Sequence, residues 1–275
     1  MEVYNFRTFR EYFDLTEKLK DYNPFYYYHL ENSIREVAHN KIPFERFLYI
    51  KDHDDYLFCL WKDDEFISYS LNHNVALFDF FAKEIGFENF KRFIFSGSKN
   101  TTDYLFKKFD VSYEETKYRC YYNIESIDPD FVAAEGKLEM ADINEIQLLA
   151  EYIDNFNSEF YEENNIDKEG IHVAWSGIQN NDLYQWSING KLVAIAQVNF
   201  SDFDFPLIGF IYVDKNMRGK NIGASMVYEI SKGLLGTGST KCSLMTDGYN
   251  PYSNRSFKKA GYKLYGEYVV RYKNK

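Results

Sequence analysis

The sequence predicts an α/β fold in which a mixed sheet is flanked by helices, and three observations predict it. Runs with strand character alternate with runs of helical spacing along all 275 residues, the order expected of sheets and helices packed in layers. Hydrophobic residues make up 45% of the chain, including 25 Tyr and 25 Phe, which supplies apolar area for a core built largely of rings. No apolar run approaches the roughly 20 residues of a membrane span, and the first residues carry no basic stretch followed by an apolar segment. The expectation is therefore a cytoplasmic protein with no membrane partner. Cys59, Cys120 and Cys242 are far apart and odd in number, a pattern suited neither to a disulfide framework nor to a Cys-based zinc site.

A polar, proline-containing segment from Ser126 to Asp130 predicts a boundary between a domain at 1–130 and a second at 131–275. In the first, Asn32 to Asn40 reads as a helix. Strands follow at Phe47 to Ile50, Tyr56 to Trp61 and Phe66 to Leu71, then a helix at Val75 to Ile85 with Val75, Phe78, Ala82 and Ile85 on one face. A strand at Arg92 to Phe95, a helix at Thr102 to Phe109 and a strand at Tyr118 to Ile124 complete this smaller α/β domain. The second domain repeats the order. Asp142 and Glu145 form a capping-box-like start to a helix whose apolar face runs from Ile143 to Phe160. Leu183 to Ile188 and Leu192 to Phe200, joined by Asn189 and Gly190, predict a β-hairpin. Leu207 to Val213 is an unbroken apolar strand, expected to be covered on both faces.

Net charge is −10, which argues against a general nucleic-acid binder. The average conceals an asymmetry: from Phe205 to Lys275 there are twelve Lys/Arg and four Asp/Glu, so the preceding 204 residues carry −18. A polyanionic small ligand suits the basic quarter and a cationic partner the acidic remainder, unless the two simply pair with each other. Thirteen of the fifteen glycines follow Pro129, so a tight phosphate-binding loop is expected only in the second half.

One segment there has the chemistry of such a loop. After the strand ending at Val213 come Arg218, Gly219, Lys220, Asn221, Ile222, Gly223 and Ala224, then a helix carrying Met226, Val227, Ile230 and Leu234 on its buried side. The first amides of a helix have no carbonyl partner and the helix dipole is positive there, so a strand, a loop with two cations and a helix start make an anion site. An ordinary connection with surface cations would look similar. The Gly233 to Lys241 stretch is also glycine-rich, but Ser239 stands where a P-loop needs Lys, and helix termination explains the glycines better.

The loop resembles the acetyl-CoA loop of the GNAT acetyltransferase superfamily, Arg/Gln-x-x-Gly-x-Gly/Ala, at Arg218 and Gly223, with Asn221 replacing the middle glycine. A second block, Asn250 to Tyr262, is similar to that family's Asn-x-x-Ala-x-x-Leu-Tyr-x-Lys-x-Gly-Phe at Asn250, Lys259, Gly261 and Tyr262. The resemblance covers about residues 141–272 and points to a bacterial subgroup with an extra N-terminal domain, here a degenerate GNAT-like copy. It implies acetyl-CoA as acyl donor, with the backbone of Ile211, Tyr212 and Val213 on the pantetheine arm. It implies the pyrophosphate on Arg218, Gly219, Lys220, Asn221, Ile222, Gly223 and Ala224, and Asn250, Asn254 and Phe257 along the thiol end or the adenine side.

The implied activity is transfer of an acetyl group to a primary amine of a small-molecule or peptidic acceptor, cationic if the acidic surface receives it. No metal is implied, and the five histidines show no ligand spacing. Phe257 stands where many members of the family carry the tyrosine that protonates the thiolate, which opens the alternative of a non-catalytic acyl-CoA-binding or interaction module. Tyr212, Tyr249 and Tyr252 are the nearest hydroxyls in sequence, Asp202 and Asp204 the nearest carboxylates before the strand. Acid, base, acceptor and oligomeric state are left unassigned.

Overall fold

The structure is a computed structural model that describes residues 1–19, 21–40, 42–161, 169–200 and 203–273. By packing, the chain divides into two compact units, one of residues 1–120 with 265–275 and the other of residues 121–264. Residues 265–273 of the terminal strand thus pack with the first unit.

The first unit contains β1 (Glu2–Asn5), α1 (Phe9–Thr16), α2 (Tyr28–Asn40), β2 (Arg46–Asp52), β3 (Asp55–Lys62), β4 (Glu65–Tyr69), α3 (Val75–Ile85), β5 (Phe93–Ser98), α4 (Lys99–Lys108) and most of β6 (Tyr113–Ile124). β1 to β4 pair antiparallel in succession, β4 pairs β5 in parallel, and β5 is flanked on its other side by residues 268–273. The helix at 75–85 has the bounds that its spacing predicts. Asn74 caps it, its side chain accepting from Leu77 N, and Gly86 ends it in the left-handed conformation. Leu77, Phe78, Phe81 and Ala82 are buried against Leu48, Leu57, Phe66 and Phe95 of the sheet.

The second unit contains β7 (Lys137–Met140), α5 (Ile146–Tyr161), α6 (Gly170–Asn180), β8 (Leu183–Ile188), β9 (Lys191–Asn199), β10 (Leu207–Val213), α7 (Ile222–Gly236), β11 (Cys242–Asp247), α8 (Pro251–Lys259) and the start of β12 (Lys263–Lys273). Its strands run β11-β10-β9-β8-β7, with Tyr121–Ile124 of β6 beside β11. The mixed sheet with flanking helices is the architecture that the residues predict. Asn189 and Gly190 both have positive φ, 50° and 75°, as a tight hairpin turn requires. The expected helix after Asp142 begins one turn late: Asp142 accepts from Asn144 N and a short 3₁₀ turn precedes α5. Among the described residues no helix is long and apolar enough to cross a membrane.

α6 has no counterpart in the sequence reading, and it carries glycine, a poor helix former, at 170 and 177. Packing requires both. A Cβ at Gly170 would come within 2.3 Å of the Ala150 carbonyl on α5, and one at Gly177 within 2.7 Å of Leu183 Cβ on β8. The missing side chains let α6 lie against its neighbours.

Candidate functional site

β10 and β11 lie in parallel but their register is recorded at Leu207↔Ser243, with no further pair among the described residues. Ser243 N donates to Pro206 O at 3.0 Å, and beyond that point the strands are no longer held by a ladder. On the other side of β10 the pairing with β9 runs Leu207↔Asn199, Ile208↔Val198 and Gly209↔Gln197, then resumes at Tyr212↔Ile195 after a β-bulge. Phe210, inside the bulge, has φ = 49°, a conformation a bulky residue adopts only where its surroundings impose it. Its ring is directed to Phe156 of α5, 5.0 Å between centroids.

The bulge changes what the strand exposes. The unbroken apolar run predicts cover on both faces, whereas only Ile208 and Tyr212 are buried and the residues between and beside them are half-exposed. Asp214 N donates to Val193 O on β9 at 2.9 Å, so by strand alternation Tyr212 turns its backbone to β9 and Val213 turns its backbone away. The Val213 carbonyl accepts from Arg218 Nε at 3.0 Å, which leaves the Val213 N–H directed along the unpaired side.

The loop from Asp214 to Asn221 joins this strand to α7. Asn221 has φ = 66° and makes no side-chain cap to the helix amides. Its side-chain nitrogen instead donates to the Val132 carbonyl at 3.3 Å. Asparagine is among the few non-glycine residues that tolerate the left-handed region, so the turn forms without the family's middle glycine. With no cap in place, the first amides of α7, at Ile222, Gly223 and Ala224, have no intrahelical carbonyl. A Cβ at Gly223 would meet Val213 Cγ2 at 3.5 Å and nothing closer: glycine here keeps the approach to the helix end open rather than avoiding a clash.

Of the loop cations, Arg218 is committed within the protein. Its guanidinium meets both carboxylate oxygens of Glu159, on α5, at 2.9 and 3.1 Å, and lies over the Tyr212 ring. Lys215 reaches the same carboxylate at 3.3 Å. Lys220 is exposed and has no carboxylate at ion-pair distance among the described residues. Arg218 therefore fixes the loop to α5 and to the end of β10, while Lys220 and the amides carry the available positive potential.

The second predicted block forms the turn from β11 into α8. Asn250 caps α8, its Oδ1 accepting from Tyr252 N and Ser253 N at 3.1 Å each. Asn254 Nδ2 donates to the Asp247 carbonyl at 2.9 Å and the Asn250 carbonyl at 2.6 Å. Phe257 is buried among the rings of Tyr122 and Tyr262. Tyr249 and Tyr252 are exposed, at 61% and 79%. Tyr212 is buried, and burial with the nearby Glu159 raises its phenol above the ordinary range. Burial and Asp214 do the same to Tyr152, whose hydroxyl is directed at Asp214 Oδ2 at 3.1 Å. Both phenols are thus protonated at neutral pH. Asp204 is exposed, and Asp202 lies outside the described residues. Tyr122 and Glu159 carry no motif; only the fold brings them to this site.

The sequence model of the acetyltransferase (GNAT) family matches residues 147–262. A GNAT-family acetyltransferase structure from Colwellia psychrerythraea is similar over 100% of both chains, at 12% identity and TM-score 0.55. A GCN5-related N-acetyltransferase structure from Sphaerobacter thermophilus is similar over 88% of this chain and 84% of its own, at 13% identity and TM-score 0.53. No curated protein matches the chain. At these identities the structures speak for the fold, and the matched segment carries the family: residues 147–262 form a domain of the acetyltransferase (GNAT) family.

Proposed function

We propose that the second unit binds acetyl-CoA and transfers its acetyl group to a primary amine of a small-molecule or peptidic acceptor. The observation that carries this reading is the uncapped start of α7 beside the unpaired side of β10. A pyrophosphate is an anion of the size that the amides of residues 219–224 can bind, with Lys220 adding charge. Arg218 supports that binding by holding the loop. The Ile211 and Val213 backbone takes the pantetheine amides in strand fashion; the Tyr212 backbone is already engaged by β9. Asn250, Asn254 and Phe257 line the thiol end through the turn they build.

In the reaction, the neutral amine attacks the thioester carbon and forms the C–N bond, the Val213 N–H donates to the oxygen as negative charge develops, the C–S bond breaks, and the proton that the nitrogen gives up to solvent is balanced by one that the thiolate takes from it. Phe257 has no proton to give, which also favours a second reading, an acyl-CoA-binding module without transfer. Coenzyme binding with no amine-dependent thiol release across an amine panel would select the module.

Calorimetry with coenzyme A tests the binding claim. Gly223→Ala has room beside Val213, so its melting temperature should match the wild type while affinity falls by about tenfold or more. Arg218→Ala should weaken binding through loop disorder, with a smaller melting shift than a core substitution. Unchanged affinity in both variants would remove the pyrophosphate assignment.

A further inference from the structure

Tyr121–Ile124 precede the boundary expected at 130/131, yet they pack in the second unit, beside β11. Two of their side chains hold β11 and the turn from β11 into α8. Asn123 Oδ1 accepts from Ser243 Oγ at 2.6 Å, at the residue where β10 and β11 are paired. The Tyr122 hydroxyl donates to Asn254 Oδ1 at 2.8 Å.

Both ends of the Asn254 amide are then engaged. Its Nδ2 holds the carbonyls of Asp247 and Asn250, at the end of β11 and the cap of α8, and its Oδ1 takes the tyrosine. The turn 247–250 is thereby fixed from β6 through a single amide. Tyr122 is 1% exposed and its ring lies 6.2 Å from that of Phe257. Without the hydroxyl, Asn254 Oδ1 would lose a donor in a part-buried place, and the amide would be free to turn and release one of the two carbonyls.

We propose that Tyr122 is a positioning residue for acetyl transfer: through Asn254 it holds the Asp247–Asn250 turn at the thiol end of the coenzyme. The inference rests on the acetyl-CoA reading above. Displacement of a positioning element by about 1 Å can cost on the order of a hundredfold in rate. The pyrophosphate amides lie on a different loop and helix, so coenzyme affinity should not follow the rate.

The test uses the full chain with Tyr122→Phe, Asn254→Ala and the double variant. Acetyl-CoA Kd is read by calorimetry and kcat by thiol release with the amine that the wild type acetylates best. The expected result is a Tyr122→Phe Kd within twofold of wild type and a kcat about tenfold lower. The double variant should be no slower than Asn254→Ala alone, because both changes remove one strut. A Tyr122→Phe kcat within twofold of wild type, or losses that multiply in the double variant, would overturn the inference. Should the tyrosine variant not fold, the Asn254→Ala rate decides: within twofold of wild type it overturns the inference, and about tenfold lower it supports it. A wild-type chain that acetylates no amine overturns the acetyl-CoA reading and the inference with it; an active wild type beside an unaffected Tyr122→Phe overturns the inference alone.

Discussion

At φ = 66° Asn221 occupies backbone space that glycine enters freely and β-branched residues avoid. Asn221→Gly is expected to keep the loop and coenzyme affinity within a few-fold of wild type. Asn221→Val should destabilise the loop by about 1–2 kcal/mol and weaken binding in proportion, both read by calorimetry and thermal melts. Equal behaviour of the two variants would mean that the conformation at 221 is irrelevant to the site. His29 offers a second test, in the first unit. Its ring stacks on Tyr268 at 4.3 Å, and burial, with repulsion from Lys117 and Arg119, holds its imidazole down to about 4. An unfolded histidine titrates near 6.5. Between those values the unfolded chain takes up a proton that the folded chain refuses, so stability is full above about pH 6.5 and falls as pH drops toward 4. Urea unfolding at pH 7.5 and 4.5 should show a loss of about 1–3 kcal/mol from this residue, and His29→Phe, which keeps the stacking, should flatten that slope.

At the scale of elements, α8 depends on one cap. Asn250 satisfies two amides of a helix only nine residues long that begins with proline, so Asn250→Ala should cost about 1 kcal/mol by urea unfolding and lower kcat by freeing the turn. A change below a few tenths of a kcal/mol would show that Asn254 alone holds this corner. The elements readable from sequence are those whose own residues decide them. The helix at 75–85 and the strand at 207–213 have strong apolar spacing and clear ends, and both have the predicted bounds. β1 is exposed at every residue and is a strand only because β2 offers it a ladder. The bulge in β10 was equally illegible, since Gly-Phe-Ile reads as plain strand; the strained Phe210 is accommodated against Phe156, on another element.

At the scale of the molecule, the element order β-α-α-β-β-β-α-β-α-β occurs twice along the chain, but the two strand-to-helix corners differ. In the first unit β4 and β5 are registered over four pairs, from Glu65↔Ile94 to Ser68↔Gly97. A Cβ at Gly97 would come within 1.8 Å of the Ser68 carbonyl, so the two strands are in direct contact where β10 and β11 part. The start of α3 is capped by Asn74, whose Nδ2 also holds the Asp52 and Asp55 carboxylates at 3.2 and 2.9 Å. That cap takes up the Leu77 amide, and the charges beside it are carboxylates. Titration with coenzyme A should therefore saturate at one per chain, and a stoichiometry of two would contradict the difference between the corners. The first unit also depends on the end of the chain. Tyr268–Lys273 pair with β5, and Arg271, 2% exposed, lies between Asp103 at 2.5 Å and Glu115 at 2.6 Å. Removing residues 265–275 strips β5 of a neighbour and takes the Arg271 guanidinium away from Asp103 and Glu115, which should abolish cooperative unfolding of that unit in urea.

Periodicity, capping residues and the chemistry of the 214–224 loop are local properties, and they were enough to establish the fold class and most helices and strands, and to single out the segment proposed to bind an anion. Tertiary structure alone decided that Arg218 serves Glu159, that Tyr122 braces Asn254, that glycine is required inside α6, and that residues 265–273 of the last strand pack with the first unit. Each of these rests on a contact between different elements, a hydrogen bond, an ion pair or a close approach, and the first two join residues far apart in sequence. A short window of sequence carries no energy term for a partner a hundred residues away, so only the folded chain could assign them.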